Sequence, residues 1–247
     1  MYDEANKIDP KGVSASLKKL HLLGDDLYLR SQAFNLGIVD NFITDLEYKV
    51  LHELNKMERT PPVTFFLSAQ SQMWIFAAYE LLRTWRQRAK EMVKWADNGG
   101  LEQKLATLRA KNDGYMHFGR ENRIRQIESV LNEPSLVPQI KNQLLHLHIP
   151  FVRIEYIRVS IAKHEVRGDS KSIAMTPGYG RINSWCGSLD YELVNGRDSM
   201  GYISRRDIAD SIRSLDCSQA TPTEDILNSF DDFMKEFQKG FQTPPVS

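Results

Sequence analysis

Arg158 and His164 are the residues of this chain whose types and spacing could do chemistry together. They stand in the run IRVSIAKHE with five residues between them. A guanidinium is a permanent cation whose planar fork of N–H donors suits phosphate or carboxylate, and an imidazole exchanges a proton near neutral pH. Lys163 and Arg167 add two cations beside the pair. Two carboxylates are candidate partners for Arg158: Glu155, one turn before it, and Glu80, on an earlier helix.

Both residues belong to a stretch, Ser135 to Gly168, that reads as a single seam helix. Ile140, Leu144, Leu147, Phe151, Ile154, Arg158 and Ile161 alternate steps of four and three, which draws one stripe down a helix face. At about 100° per residue with Ile154 at zero, Arg158 lies near 40°, inside the apolar arc, and His164 lies at about −80°, on its edge. An arginine in a seam is costly unless paired. Either Glu155 or Glu80 meets it, or it faces a place where a phosphate can come. Pro150 lacks an N–H and crowds the carbonyl four residues back, so it predicts a kink or short break.

This arginine–histidine spacing, in a helix late in a bundle, resembles the mark of the HEPN superfamily (higher eukaryotes and prokaryotes nucleotide-binding). The resemblance covers residues 153–168 and the order of long helices. HEPN nucleases usually carry a polar residue, often asparagine, directly after the arginine, where this chain has Val159. The resemblance implies a helical bundle, a homodimer that brings two copies of the motif together, and either metal-independent RNA cleavage of the defence or toxin type or a non-catalytic binding role. No metal or cofactor enters such chemistry. Cleavage of RNA by its own 2′-hydroxyl needs a proton acceptor and donor near pH 7 and a fixed cation on the phosphorane oxygens. Arg158 and His164 fill these catalytic roles, Lys163 and Arg167 hold flanking phosphates, and Glu155 orients Arg158. The alternative from a different class is a non-catalytic helical interaction module that binds a protein or nucleic-acid partner.

Composition narrows the field. The 247 residues carry 32 basic and 32 acidic side chains, so no global excess points to a polyanion. The distribution is uneven, with eleven Lys or Arg against five Asp or Glu from Arg83 to Arg125 and eight acids against two bases from Asp207 to Glu236. The first of these segments is expected to form an electropositive face. Cys186 and Cys217 are too few for a disulfide framework or a thiolate zinc site, which fits a reducing cytoplasm. His146 and His148 are two apart, which puts their rings about 200° apart on a helix and leaves them unable to converge on a metal. Gly178-Tyr179-Gly180 has neither the strand before nor the helix after that a phosphate cradle requires. No secretory signal opens the chain, and the most apolar run, Val63 to Leu82, contains Gln70, Gln72 and Glu80, so no membrane span is expected.

The elements that must position the pair follow from pattern and punctuation. Fold class is mainly α: a helical bundle over residues 1–168, then a loop, a small β-hairpin and two further helices over 169–247. Residues 1–15 are expected to be loosely ordered. On the next long helix, Ile38, Phe42, Leu46, Val50 and Leu54 are the expected apolar face. Pro61-Pro62 stops one helix and starts another, which runs from Thr64 to about Asp97 and ends at Asn98-Gly99-Gly100, with Phe66, Met73, Trp85 and Met92 on its apolar side. Trp74, Trp85 and Trp95 read as packing residues. Two polar helices around Asp113-Gly114 precede the seam helix. After Gly168 a long loop leads to the alternation of Leu189, Tyr191 and Leu193, and Asn195-Gly196 marks the hairpin turn. Ser204 and Asp207 are spaced as a capping box for the following helix, and a last amphipathic helix covers Thr223 to Lys239.

Overall fold

The computed structural model describes residues 2–57, 59–111, 114–162, 180–195 and 198–239. Their order is α1 (Gly12–Lys18), α2 (Leu27–Met57), α3 (Thr64–Asp97), α4 (Leu101–Ala110), α5 (Phe118–Asn132), α6 (Leu136–His146), α7 (His148–Ala162), β1 (Gly180–Ile182), β2 (Leu189–Asn195), β3 (Asp198–Ser204), α8 (Arg205–Arg213) and α9 (Glu224–Lys239). It is a mainly α bundle with a three-stranded antiparallel sheet in the order β1-β2-β3. No described helix is long and apolar enough to cross a membrane.

The long helix α3 is the spine. It starts just after Pro61-Pro62 and stops at Asp97, where Asn98 accepts from the Gly100 N–H at 3.0 Å and Gly99 takes φ of 71°. Trp74, Trp85 and Met92 are buried along it. Antiparallel α2 lies alongside, since the Trp74 indole donates to the Leu36 carbonyl at 3.1 Å while Phe42 meets Phe66 edge to face at 6.2 Å. α6 and α7 pack on α3 from another side.

Residues 12–18 overturn the expectation of a loose N-terminus. They form α1, with Val13 and Leu17 in the core and Gly37 of α2 so close that a Cβ on it would stand 2.8 Å from the Ser14 Cβ. A seven-residue helix has no stability of its own; tertiary packing makes it. The turns from Lys19 to Asp25 bury Leu20, Leu22 and Leu23, and their backbone is satisfied by side chains from three helices. Trp85 donates to the His21 carbonyl at 2.8 Å, Gln126 to the Leu22 carbonyl at 3.0 Å and Gln143 to the Lys19 carbonyl at 3.1 Å. Leu22 holds a left-handed φ of 67° within this frame. Asp26 then caps α2 through the Tyr28 and Leu29 N–H groups, both at 2.9 Å, while its other oxygen accepts from Arg88 of α3 and Asn122 of α5 at 2.6 Å each.

The seam helix breaks at Leu147, three residues before Pro150. Proline then sits in the first turn of α7, where its missing N–H has no partner to lose. The expected stripe is otherwise kept, with Ile140, Leu147, Phe151, Ile154 and Ile161 buried. In the later part, β2 and β3 pair as the expected hairpin, with Asn195 opposite Asp198; Gly196 of the expected turn lies outside the described residues. β1, at the end of the stretch expected to be loop, adds a third strand. The Ser204–Asp207 capping box is formed reciprocally at the start of α8.

The largest departure is the face that α2 buries. Ala33, Leu36, Gly37, Asp40, Ile43, Thr44, Glu47 and Val50 turn inward, and the expected core residues Ile38 and Phe42 are 55% and 49% exposed. Phe66 and Met73 of α3 are likewise on the outside. The reason is a buried ion network. Arg205 and Arg206 at the start of α8 are fully buried, and Arg205 donates to both oxygens of Glu47, to Thr44 and to Asp40. Arg206 reaches Asp210 at 3.0 Å and Glu47 at 3.4 Å, and Arg213 joins Asp210 to Asp40. Three guanidiniums and three carboxylates balance, as burial of ions requires. On a 3.6-residue helix Glu47 lies about 180° round from Ile38, so placing the acids inside forces the apolar stripe out.

Candidate functional site

Arg158 sits just before the last turn of α7, partly exposed, with its guanidinium carbon 4.9 Å from the centroid of the Tyr79 ring of α3. Tyr79 is fixed from both sides. Its hydroxyl donates to Glu155 at 3.3 Å, and its ring stacks on Phe151 at 5.7 Å with 28° between planes. Arg86 covers Phe151 in turn at 4.6 Å. The result is a ladder of two arginines and two aromatic rings across the α3–α7 contact. Burial raises the Tyr79 phenol above its ordinary pKa, and the Glu155 carboxylate adds to the shift.

Neither carboxylate expected to neutralise Arg158 does so. Glu155 is engaged by the Tyr79 hydroxyl, and Glu80 pairs with Arg83 one turn along its own helix at 2.7 Å. Among the described residues no acid forms an ion pair with Arg158. Its cation rests on the π-face of Tyr79. Lys163, His164 and Arg167, named from sequence as the histidine partner and flanking cations, lie outside the described residues.

Five of the eleven bases from Arg83 to Arg125 meet described acids, three of which lie beyond the ends of the segment. Arg83 meets Glu80, Arg88 meets Asp26, Arg109 meets Glu128, Arg120 lies 3.7 Å from Glu121 and Arg123 meets Glu91. Arg123 is also held over Trp95 at 5.1 Å, and burial lowers its pKa. A cavity of about 340 Å³ lies here between α3 and α5, lined by Arg88, Glu91, Asn122 and Arg123 among others.

A second cavity, of about 710 Å³, lies among the sheet, α8 and α9, with Arg153 of α7 at its edge. Its acids are already partnered. Asp207 accepts from the Tyr2 hydroxyl at 2.8 Å and from Ser204, Asp210 accepts from Arg206 and Arg213, and Asp190 accepts from Asn183 at 2.9 Å. Burial raises the Asp190 pKa. Among the described residues no three His, Cys, Asp or Glu side chains gather as a metal site. Cys186 is buried and its thiol is pushed up to about 12 by that burial, which leaves it protonated and a poor nucleophile. His148 contacts Asp231 at 2.7 Å and helps hold α9 to α7.

Sequence reasoning missed Tyr79 as the support of Arg158. The signal was present, because Tyr79 stands next to Glu80, which was expected to reach Arg158. Comparison of the chain with protein-family models, with curated proteins and with solved structures finds no match.

Proposed function

We propose that this chain is a HEPN-like, metal-independent endoribonuclease that acts on RNA through Arg158 and His164, brought together in two copies at a dimer interface. One observation supports this reading above the rest: Arg158 is a half-buried arginine that two nearby acids leave unneutralised. A structural arginine in such a seam would be expected to take one of them. Here Glu155 instead fixes Tyr79, and Tyr79 supports the guanidinium from below, which leaves its donors for an anion. In this reading Arg158 stabilises the charge on the phosphorane, His164 moves the proton, and Lys163 and Arg167 hold the neighbouring phosphates. Glu155 is a positioning residue that acts through Tyr79.

The experiment is cleavage of single-stranded RNA with EDTA present, followed by end-group analysis for a 2′,3′-cyclic phosphate. His164→Ala is expected to lose roughly two to four orders of magnitude in rate at unchanged thermal stability. Equal cleavage by variant and wild type, or none by either, overturns the reading. The second reading, a non-catalytic interaction module, is favoured by a different observation: the uncovered apolar face on α2 and α3.

A further inference from the structure

The apolar side chains displaced outward on α2 form one stripe. Taking Ile38 as zero, Leu27 lies at about −20°, Phe34 at about −40° and Phe42 at about +40° on a regular helix. Phe66 of α3 touches Phe42, and Met73 is two turns further along the same side of α3. These six are 48% to 65% exposed. With about 200 Å² for a large side chain, they present roughly 600 Å² of apolar surface, at the upper limit of what a monomer ordinarily exposes.

Charge from α2 and α3 is sparse on the same face, and Lys18 of α1 lies at its edge, 5.0 Å over the Phe34 ring. From Thr60 to Tyr79 there is no charged residue, and between Arg30 and Asp45 the one charged residue is Asp40, which is 1% exposed and held in the ion network. A solvated helix face would carry Lys and Glu there; loss of charge with enrichment in Phe and Met is the composition of an interface centre.

We propose that this face pairs with the same face of a second copy of the chain, α2 antiparallel to α2 about a twofold axis at Ile38. Three features select a second copy. A face whose centre is uncharged, with Lys18 only at the Phe34 edge, offers a charged partner little to complement, yet meets itself there without repulsion. The area, doubled to roughly 1,200 Å² before any polar rim is added, reaches the range of stable interfaces. The charges at the two ends of the stripe are also complementary: with the axis at Ile38, Phe34 of one copy faces Phe42 of the other, and exposed Asp45 comes level with exposed Arg30. The contact is separate from the candidate ribonuclease site and does not rest on that reading. Tyr79, beneath Arg158, is about 120° round α3 from Met73, so this pairing does not by itself join two Arg158 side chains.

The test is the mass of the full chain in solution by light scattering at micromolar concentration. Wild type is expected to be a dimer through this face, or a tetramer where the Arg158 contact also forms, and Ile38→Glu, which puts two like charges on the axis, is expected to weaken the α2 contact at least about 100-fold with an unchanged circular dichroism spectrum. Asp45→Arg is expected to weaken the dimer roughly threefold, and Arg30→Glu added to it to restore wild-type affinity. In a Cys217→Ser background, Ile38→Cys is expected to form an interchain disulfide on mild oxidation, because only a twofold axis at that residue brings it to its own copy. A wild-type monomer overturns the proposal, whether or not it binds phosphatidylcholine vesicles or another protein. So does a dimer that Ile38→Glu leaves intact.

Discussion

The guanidinium of Arg205 grips both carboxylate oxygens of Glu47, at 2.8 and 2.7 Å, across 158 residues of chain and with neither side chain exposed. This contact decides which way α2 faces. Removing one partner leaves the other charge buried and bare, so Glu47→Ala is expected to destabilise the fold by about 3–5 kcal/mol in chemical denaturation. Replacing Glu47 and Arg205 together with leucine and methionine is expected to cost less than Glu47→Ala alone. A double variant as unstable as the sum of its singles would show that the two residues act independently.

Gly187 makes the same junction from the sheet side. It has φ of 76°, and a Cβ there would stand 1.9 Å from the Glu47 carbonyl oxygen. Gly187→Ala is therefore expected to cost more than about 2 kcal/mol, from a left-handed alanine and a displaced α2 together. Gly99, at φ of 71° with nothing within 4 Å of its Cβ position, is the control. Gly99→Ala is expected to cost about 1 kcal/mol, read from the shift in midpoint.

Because Arg158 lies on Tyr79 and pairs with no described acid, Arg158→Ala becomes a clean probe of function. The expected loss of stability is about 1 kcal/mol, the size of a cation–π contact. A loss of several kcal/mol would mean that the guanidinium is structural after all. If the ribonuclease reading holds, cleavage falls while the melting curve scarcely moves.

Asp190 supplies a pH dependence. Burial raises its folded-state pKa, against the Asn183 hydrogen bond that lowers it, with nearby Asp207 raising it further. The fold thus holds this proton more tightly than the unfolded chain does. Its contribution to stability is complete below the ordinary carboxylate pKa and is lost as pH rises through the raised one. Asp190→Asn removes this loss, so the melting temperature of the variant is expected to gain on wild type as pH rises from below the ordinary aspartate range toward neutrality. A constant difference across that window would contradict the shift.

What the sequence made legible was mostly punctuation. Pro61-Pro62 and Asn98-Gly99-Gly100 bound α3 at Thr64 and Asp97 as expected, because proline and glycine act on the local backbone whatever packs nearby. The capping box at Ser204 was legible for the same reason. α1 was not, since seven residues carry too little periodicity and owe their helix to Gly37 and α8. Nor was the facing of α2. Val50 is in the core as expected, but Ile38 and Phe42 looked like core and Asp40 and Glu47 like a solvated face; the partners that keep those acids inside, Arg205 and Arg206, lie far along the chain. At the candidate site the sequence identified Arg158 as a seam cation but offered Glu155 and Glu80 equally as its partners. Tyr79 takes the place of both.

The buried ion network also sets a timetable. During synthesis at about 5–20 residues per second, the 158 residues from Glu47 to Arg205 take about 8 to 30 seconds to emerge. Throughout that interval Asp40 and Glu47 have no counter-ion, and turning them inward against α3 is unfavourable. The inner face of α2 also carries Leu36, Ile43 and Val50, and its contacts with α1 and α3 come from chain made well before Arg205. The acids of α2 are thus held among apolar neighbours by packing alone until α8 brings the guanidiniums that balance them.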